Sequence, residues 1–411
     1  TSWDDNAISV FSRNSTTGAL TYVEIKQDGV GGVDGLTGAN SVAVSSDGKH
    51  VYAAGATDGA ISVFSRNSST GALTFVEVQK DGVNGVGLSD VRAVTLSPSG
   101  NQVFAASRGE GEIRVYSRNS STGALTYAGR QPGTLDGIRG LYYTETVVVS
   151  PDGSHVYAGG WEENAISVFS RNSSTGALTY VEVKKDGVGG VDGISDVELI
   201  AVSPDGKHVY AVGRHDGAVA VFSRNLSTGA LTYVEMKKDG VGGVDGLDRA
   251  QSATVSPDGN HVYAASDSDD AIAVFSRNSS TGALTYVEMK KDGVGGVDGL
   301  DNAKSVTLSP DGMHLYATSW NDEAISVFSR NSTTGALIYV EMQKAEVGTS
   351  IGLRHAKGVD VSPDGKHVYV TGYGDDKLVV FGRNSSTGAL TWLGAMGNVT
   401  EVKSVAVSSD G

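Results

Sequence analysis

The sequence predicts an all-β protein, an eight-bladed β-propeller of four-stranded antiparallel blades. Two recurring strings predict this class. Ser-Arg-Asn, or a close variant, occurs eight times along the 411 residues, every 53 residues except for one interval of 52. Ser-Pro-Asp-Gly, or a variant, also occurs eight times. Because a thin four-stranded unit buries its faces only against its neighbours, we expect 1–411 to form a single propeller domain.

One repeat shows the four predicted strands in order. Ser305–Ser309 is rich in β-branched residues and ends in Ser-Pro-Asp-Gly, a sequence typical of a type I turn. Met313–Thr318 and Ala324–Ser329 are predicted as the second and third strands, because apolar residues alternate along them. A polar turn that contains Gly follows, and Ala336–Gln343 is the predicted fourth strand. No segment shows a sustained apolar stripe of helical period.

The two ends of the chain predict a closed ring. The C-terminal Ser404–Ser408 matches a first strand, and the N-terminal Ala7–Ser12 and Ala19–Ile25 match third and fourth strands. We expect these N- and C-terminal strands to share one closing blade. No segment at either end matches the second strand, so this blade either has three strands or receives one from residues outside the sequence. A linear solenoid is the alternative architecture.

Composition excludes several classes of function. The chain has no Cys, so it forms no disulfide and no Cys-based metal site. Its net charge of −15 disfavours nucleic acid and anionic membrane surfaces as partners. No run approaches the ~18–20 apolar residues of a membrane helix, so we expect no membrane span. No signal-like segment is present, and we expect a secreted or periplasmic location rather than a cytoplasmic one.

The repeated strings VSPDGKHVYA, AISVFSRN and TGALTYVE resemble those of the YVTN-type, lactonase-like β-propellers. That family includes 6-phosphogluconolactonase-like and muconate-cycloisomerase-like proteins. The resemblance spans the whole chain and implies the fold, because its motifs are turns and strands. Family members commonly have seven blades that have diverged from one another, whereas this chain has eight nearly identical repeats. The resemblance assigns no catalytic residue to a position in this sequence.

Six of the eight His occupy one position, directly after the Ser-Pro-Asp-Gly turn. They are His50, His155, His208, His261, His314 and His367. A residue present in most blades serves something that every blade does. We interpret these residues as hydrogen-bonding anchors for the turn or for the neighbouring blade, rather than as a ring of metal ligands, and we predict no metal site.

Asn-x-Ser/Thr sequons follow the third predicted strand of every repeat, and a ninth begins at Asn398. The eight repeated ones begin at Asn14, Asn67, Asn119, Asn172, Asn225, Asn278, Asn331 and Asn384. In a secreted eukaryotic protein they would be glycosylation acceptors. We favour turn chemistry, because Asn, Ser and Thr side chains hydrogen-bond the backbone of tight turns.

Four Asp-Gly-Val-Gly-Gly-Val-Asp-Gly loops superficially match phosphate-binding or calcium-binding loops. They span Asp28–Gly35, Asp186–Gly193, Asp239–Gly246 and Asp292–Gly299. No helix or Gly-Lys-Ser/Thr follows, and the carboxylates lack EF-hand spacing. We interpret the loops as crossings between blades. Ca²⁺ held by two carboxylates and backbone carbonyls is the alternative, and no other cofactor is expected.

Eight unlike residues stand where the inner strands begin, and we expect them to ring the mouth of the central channel. They are Asn40, Arg92, Glu145, Glu198, Gln251, Lys304, Lys357 and Lys403. Basic and neutral residues form one arc of this ring, and the two glutamates with Gln251 form the other. Either these are solvated polar side chains, or the basic arc binds an anion.

The loops after the second strands are acidic, and we expect them on the same face of the ring as the channel mouth. Three carry a Trp that offers a stacking surface to a sugar or a partner, or else packs on its own loop. The expected contacts on this top face are Trp3, Trp161, Trp320, Arg214, His215, Arg354 and His355. Acid–base chemistry, if present, would use these histidines or Glu145 and Glu198.

Three functions are compatible with this pattern. We favour a non-catalytic binding module that presents the acidic, Trp-bearing face to a glycan, a cation or a basic protein, because equivalent repeated sites favour avidity. The alternative is a lactonase-like hydrolase or cycloisomerase whose small anionic substrate binds Lys304, Lys357, Lys403 and Arg92. A purely structural propeller that arose by recent duplication is the third hypothesis. No Ser-His-acid triad is readable in the sequence.

Overall fold

The computed structural model describes residues 1–82, 87–133, 140–344, 351–397 and 400–408. These residues form thirty β-strands. In chain order the strands are β1 (Ala7–Arg13), β2 (Leu20–Gln27), β3 (Ala39–Val44), β4 (His50–Gly55), β5 (Ala60–Arg66), β6 (Leu73–Lys80), β7 (Val91–Leu96), β8 (Gln102–Ser107), β9 (Glu112–Arg118), β10 (Leu125–Pro132), β11 (Thr144–Val149), β12 (His155–Gly160), β13 (Ala165–Arg171), β14 (Leu178–Lys185), β15 (Val197–Val202), β16 (His208–Gly213), β17 (Ala218–Arg224), β18 (Leu231–Lys238), β19 (Ala250–Val255), β20 (His261–Ser266), β21 (Ala271–Arg277), β22 (Leu284–Lys291), β23 (Ala303–Leu308), β24 (His314–Ser319), β25 (Ala324–Arg330), β26 (Leu337–Lys344), β27 (Ala356–Val361), β28 (His367–Gly372), β29 (Lys377–Arg383) and β30 (Leu390–Met396).

The strands form seven four-stranded antiparallel sheets, each made of consecutive strands. We number these blades 1 to 7, from blade 1 (β3–β6) to blade 7 (β27–β30). The inner strands of successive blades contact one another, from β3 against β7 through to β23 against β27. The all-β propeller architecture predicted from the sequence is therefore confirmed, and in the repeat analysed above the observed strand bounds differ from the predicted ones by at most two residues.

The prediction of eight four-stranded blades is wrong, since the described residues form seven. The eighth repeat contributes only a two-stranded sheet, β1 with β2. The C-terminal segment 404–408, expected to be the first strand of a shared closing blade, forms no strand. Its residues 404–407 read Ser-Val-Ala-Val, as do residues 41–44, which form a strand in β3. β3 pairs with β4, whereas the described residues contain no second strand against which 404–407 could form a ladder.

The two ends of the chain are nevertheless hydrogen-bonded to each other. The Thr1 amino group donates to the Ser404 carbonyl oxygen at 3.0 Å, and the Lys403 amide donates to the Thr1 carbonyl oxygen at 3.2 Å. Val405 and Val407 pack beside Tyr369 of blade 7. Gly411 lies outside the described residues.

The hydrophobic core lies between blades. The second strands are buried along their whole length, because the two neighbouring blades cover both faces of each sheet. One cluster joins Val219 and Val221 of blade 4 to Val262, Ala264 and Phe275 of blade 5. The fourth strands are mostly half-buried, since they form the outer edge of the ring. Among the described residues, no helix has the length and apolar character needed to cross a bilayer.

A buried arginine at the end of the third strand joins a blade to the preceding one, and we call this contact an arginine lock. Arg277, at the end of the third strand of blade 5, binds three side chains of blade 4. Its Nη2 donates to the Asp205 carboxylate at 2.9 Å and approaches His208 Nδ1 at 2.6 Å, and its Nε donates to the Tyr210 hydroxyl at 2.8 Å. The same arrangement recurs at Arg118, Arg224, Arg330 and Arg383. Arg13 of β1 likewise binds Asp364 and His367 of blade 7.

These contacts confirm the structural interpretation of the six repeated histidines. Burial and the adjacent guanidinium lower the pKa of His208, so its Nδ1 is neutral and accepts a hydrogen bond. The Asp205 carboxylate has its pKa lowered to about 2 by hydrogen bonds from Ser203, Arg277 and Lys207, which together outweigh the effect of its burial. In blade 2, Gln102 takes the His position, and Arg171 binds its side-chain oxygen instead.

The sequons and the glycine-rich loops have the structural roles expected of them. Asn278 Oδ1 accepts hydrogen bonds from the Ser280 amide at 2.9 Å and the Thr281 amide at 3.1 Å, and the equivalent turns repeat this pattern. Asn398 lies outside the described residues. Each glycine-rich loop links the fourth strand of one sheet to the first strand of the next, as Asp239–Gly246 does between β18 and β19.

We predict that the arginine locks dominate stability. Arg277→Ala should lower the free energy of unfolding by about 3 kcal/mol, because it removes the buried donor to His208 Nδ1 and to the Tyr210 hydroxyl and the ion pair with Asp205. Arg171→Ala is the matched control, since Arg171 binds a neutral Gln and its Nε has no partner among the described residues. Urea unfolding of both variants measures the difference, and equal losses would contradict the assigned role of the lock.

We also predict that stability falls in mild acid. The six repeated histidines have lowered pKa values in the folded protein. Their stabilising contribution is therefore complete above the unfolded-state pKa of about 6.5 and is lost as the pH falls below it. Urea unfolding at pH 7.5 and pH 5.5 should show this loss. His208→Gln, which copies Gln102, should remove about one sixth of it, and an unchanged pH dependence would refute the assignment.

Candidate functional site

A β-bulge presents seven of the eight ring residues, all except Lys403, at the channel mouth. In blade 6, Ala303 pairs with Ser319 and Ser305 pairs with Thr318, so Lys304 has no opposite residue in the ladder. The same register shift occurs at the start of the first strand in blades 1 to 5, and in blade 7 the ladder is irregular at the same place, between Ala356 and Val359. Bulges commonly redirect a side chain next to a functional site. Here they place one variable residue from each blade at the end of its inner strand.

A cavity of about 310 Å³ at the mouth brings five of these eight residues together. It is lined by Trp3, Asn40, Arg92, Glu145, Lys357 and Lys403. Residues from blades 1, 2, 3 and 7 and from both ends of the chain therefore converge on one space. Glu198, Gln251 and Lys304 belong to the same ring but do not line this cavity.

The three cations of the cavity differ in how far they are already paired. Arg92 Nε lies 2.8 Å from the Asp90 carboxylate, and Lys403 Nζ lies 3.2 Å from that of Glu401. Lys357 forms no ion pair with a described residue. Burial, together with the charge of Lys403, lowers the pKa of Lys357. Lys357 is thus the cation of the cavity that is available to a ligand.

The two ring carboxylates also differ. Burial raises the pKa of Glu145, although Arg108 Nη1 lies 3.3 Å from its carboxylate. Burial and the charge of Asp196 raise the pKa of Glu198. Both groups therefore hold a proton more readily than an exposed glutamate does. Of the two, Glu145 lines the cavity that holds Arg92, Lys357 and Lys403.

The three expected Trp contacts lie beside this network. Trp3 has Arg92 and Lys403 over its ring, at 5.5 and 5.4 Å from the centroid. Trp161 has Arg108 at 5.6 Å from its centroid. These distances are typical of cation–π contacts. Trp3 and Trp161 therefore serve in part as supports for the charged side chains of the mouth.

The remaining top-face residues divide into two groups. His355 stacks on Trp320, with ring centroids 4.4 Å apart and planes 6° apart. Arg214 approaches the Asp196 and Asp267 carboxylates at 3.6 and 3.9 Å. His215 is exposed, and Arg354 is mostly exposed with a single carboxylate contact at 4.0 Å. The structure thus brings His355 and Arg214 into the mouth network and leaves His215 and Arg354 at its outer rim.

Sequence analysis missed most of the residues that hold the ring in place, and of those described next it named only His355. Asp267, 6% exposed, accepts a hydrogen bond from Gln251 at 2.7 Å and pairs with Lys304 and Arg249, each at 3.2 Å. The residue two before each ring position also contributes. It is non-glycine with φ between 49° and 61° in all but one case, namely at Asp90, Tyr143, Asp196, Arg249, Asn302, His355 and Glu401.

Side chains rarely adopt a positive φ, and such strain clusters at functional sites. These residues could have been found in the sequence, because two positions of the otherwise nearly identical repeats vary in residue type. One position lies two residues before the ring residue. The other directly follows the second strand, and Arg108, Asp267 and Tyr373 occupy it.

The glycine-rich loops each bring three carboxylates together. One group is Asp239, Asp245 and Asp269, with ligand atoms within 4.8 Å of one another. Burial, followed by the charge of Asp269 and other carboxylates, raises the pKa of Asp239. Lysines already pair with these groups, as Lys291 does with Asp269 at 3.7 Å. The donor set suits Ca²⁺, and calcium binding here stays a prediction.

Comparison with known proteins identifies the family. The family model described as "Lactonase, 7-bladed beta-propeller" matches five overlapping stretches, residues 4–139, 84–192, 135–240, 199–349 and 294–407. The chain is 24% identical over 227 residues to a 6-phosphogluconolactonase of Klebsiella pneumoniae, a match that covers 55% of this chain and 62% of that protein. The match thus spans less than two thirds of that relative's length.

Solved structures share the fold. A putative 6-phosphogluconolactonase of Bacteroides uniformis is 21% identical, with a TM-score of 0.62, over 83% of this chain and 93% of that one. The periplasmic gluconolactonase PpgL of Pseudomonas aeruginosa is 19% identical, with a TM-score of 0.60 and the same coverage. At these identities the likeness shows the fold alone.

The matches overturn two expectations from the sequence. The family model describes seven blades, in agreement with the seven four-stranded sheets and against eight. The expected non-catalytic binding module is also wrong, because the family model and the relatives support the lactonase alternative. The chain belongs to the Lactonase family of seven-bladed β-propellers.

Proposed function

We propose that this protein is a lactonase that hydrolyses a small, anionic, sugar-derived lactone in the cavity at the channel mouth. One observation carries the proposal, namely that Glu145, a carboxylate with a raised pKa, lines the same cavity as Arg92, Lys357 and Lys403. The names of the relatives, 6-phosphogluconolactonase and gluconolactonase, supply the substrate class.

The basic side of the cavity binds the anionic group of the substrate. Lys357 forms no ion pair with a described carboxylate, although Glu198 and Glu145 act on it from a distance, so an anion there breaks no existing ion pair. The neighbouring charge of Lys403, which already lowers the pKa of Lys357, would be offset by the same anion. Trp3, beneath Arg92 and Lys403, holds these two cations at the wall of the cavity.

Glu145 acts as the general base of the hydrolysis. Its carboxylate takes a proton from a water molecule while the water oxygen attacks the lactone carbonyl carbon. The charge that develops on the carbonyl oxygen is stabilised by the cations of the same cavity. The ring C–O bond then breaks, the ring oxygen takes up the proton, and an open-chain hydroxy acid leaves. Arg108, 3.3 Å away, keeps the carboxylate oriented.

A location outside the cytoplasm is part of the proposal. Its support is the periplasmic description of the Pseudomonas protein, which shares the fold.

We predict that the two ring carboxylates contribute unequally. Glu145→Gln should lower kcat about 100-fold or more, because it removes the base but keeps the shape of the cavity. Glu198→Gln is the matched control, since Glu198 occupies the equivalent position in the next blade but does not line the cavity, and its effect should be several times smaller. Acid release from a phosphorylated or unphosphorylated aldonolactone measures both.

The pH profile provides a second readout of Glu145. The rate should rise with pH as the base loses its proton, with a midpoint above the usual glutamate pKa of about 4.3. This limb should be absent in Glu145→Gln. If the two glutamine variants lose equal activity, or if the limb persists, Glu145 is not the base.

We predict that Lys357 determines affinity for the anionic group. Lys357→Ala should raise KM for a phosphorylated lactone about tenfold, and should change KM little for its neutral counterpart, since a charge-assisted hydrogen bond is lost. Lys304→Ala is the control, because Lys304 is already paired with Asp267 at 3.2 Å and lies outside the cavity. An equal effect of both substitutions would contradict the proposed anion site.

A further inference from the structure

One arginine at the end of a third strand lacks the partners that its equivalents have. Arg171 of blade 3 reaches into blade 2 and binds Gln102. In blade 2, Ser99, Gln102 and Phe104 occupy the positions that Asp, His and Tyr take in the five complete arginine locks. All three partners are therefore replaced at one junction, that between blades 2 and 3. Arg171 nevertheless stays buried, with 9% of its surface exposed.

The replacement of Asp by Ser leaves the charge of Arg171 without a carboxylate. In the five complete locks the guanidinium lies 2.7–2.9 Å from the turn Asp. Arg171 forms no ion pair with any residue that the structure describes. Its Nη2 donates to the Gln102 side-chain oxygen and its Nη1 to the Gly153 carbonyl oxygen, and both acceptors are neutral. A buried cation without a counter-charge is unfavourable.

The Nε atom of Arg171 also lacks an acceptor. In a complete lock this atom donates to a Tyr hydroxyl, as that of Arg277 does to Tyr210 at 2.8 Å. Blade 2 has Phe104 at the Tyr position, and Arg171 Nε has no hydrogen-bond partner in the described part of the chain. Burial lowers the pKa of Arg171, as expected for a guanidinium that no carboxylate compensates.

Two further donors of the blade 2 turn are those that bind the carboxylate in other blades. In blade 4, the Asp205 carboxylate accepts hydrogen bonds from the Ser hydroxyl two residues before it, at 2.6 Å, and from the amide two residues after it, at 3.1 Å. The corresponding donors in blade 2 are the Ser97 hydroxyl and the Asn101 amide. The Ser97 oxygen lies 3.1 Å from both Ser99 Oγ and Gln102 Oε1. A guanidinium, an amide and hydroxyls therefore border the place that a carboxylate fills elsewhere.

We propose that these groups bind a small monovalent anion, with Arg171 as its cationic partner. The positive charge and the preserved donors call for an anion, and the size of the group they bind in other blades limits it to about that of a carboxylate. Chloride and formate meet both requirements. The place is reachable from solvent, since the side chain of the equivalent Asp205 is 31% exposed. The bound anion offsets the buried charge and completes the contact between blades 2 and 3.

This anion site is separate from the cavity at the channel mouth. Ser97 directly follows β7, whereas the ring residue Arg92 stands near the start of the same strand. The two sites therefore lie at opposite ends of the inner strands. The proposal is independent of the lactonase proposal, because it uses none of the residues that line the mouth cavity.

The first test compares the response to chloride of the wild-type protein and of Ser99→Asp. The variant restores the turn sequence Ser-Pro-Asp-Gly, which blades 3 to 7 already contain. Exchanging the bulky MES anion for about 200 mM chloride should raise the Tm of the wild-type protein by about 1–2 °C, because the ion binds only the folded chain. Ser99→Asp should lose this response, since its own carboxylate takes the place of the anion.

Asn260→Asp is the matched control for the added charge. It introduces the same carboxylate at an exposed position of the corresponding turn in blade 5, where the lock is complete. This variant should keep the chloride response of the wild-type protein. Loss of the response in Asn260→Asp as well as in Ser99→Asp would attribute it to net charge and overturn the proposal.

The second test locates the ion. A crystal soaked in sodium bromide should show an anomalous peak within hydrogen-bonding distance of Arg171 Nη2, and a crystal of Ser99→Asp should show none there. Absence of the peak in the wild-type crystal would overturn the proposal. A peak accompanied by equal chloride responses of the two proteins would mean an adventitious ion only, and would overturn it as well.

Discussion

The guanidinium that closes each third strand is the interaction on which the ring depends. Five of these arginines, Arg277 among them, reach into the preceding blade and bind a turn aspartate, a neutral histidine and a tyrosine hydroxyl, all brought together by one antiparallel register. Apolar packing between blades has no direction of its own. The buried arginine adds directionality, because its hydrogen bonds form at one angle between the two blades and in one strand register. The repetition of the lock explains why the repeats remain so similar outside the mouth.

The sequence predicted most of the ring because the blade is encoded locally. Turn strings and alternating apolar runs placed the strands within one or two residues, and the recurring His was correctly assigned to structure. The number of blades was not predictable in this way. Ser-Val-Ala-Val forms a strand at 41–44 and none at 404–407, so the outcome depends on whether a partner strand is present.

An irregular repeat shows a second limit of sequence reasoning. The loop between β6 and β7 is one residue shorter than its equivalents, which produces the single interval of 52 residues. In blade 1 the Ser62 hydroxyl donates to the Asp34 carbonyl oxygen of the preceding loop, at 2.7 Å. Blade 2 has Arg114 in place of this Ser, and its longer side chain reaches the Gly87 carbonyl oxygen at 2.9 Å. Arg114 thus compensates for the shorter loop, and this is evident only from the structure, where the loop and the strand are in contact.

The candidate site was partly predictable because the start of an inner strand must face the channel. That rule identified Glu145, Lys357 and Lys403, but not which of the eight ring residues share a cavity. Asp267 and Arg108 were missed because their roles arise from contacts between different blades. The chemistry of the mouth therefore comes from the few positions at which the repeats diverge, and the locks hold those positions in a fixed ring.

The most direct measurement of the central claim is a crystal structure of the protein soaked with the open-chain aldonic acid 6-phosphate, the product of a phosphorylated lactone. The account predicts that the phosphate lies against Lys357 and that the carboxylate carbon lies within reach of Glu145, inside the cavity at the mouth. Density for the product elsewhere on the ring, with this cavity unchanged, would contradict it.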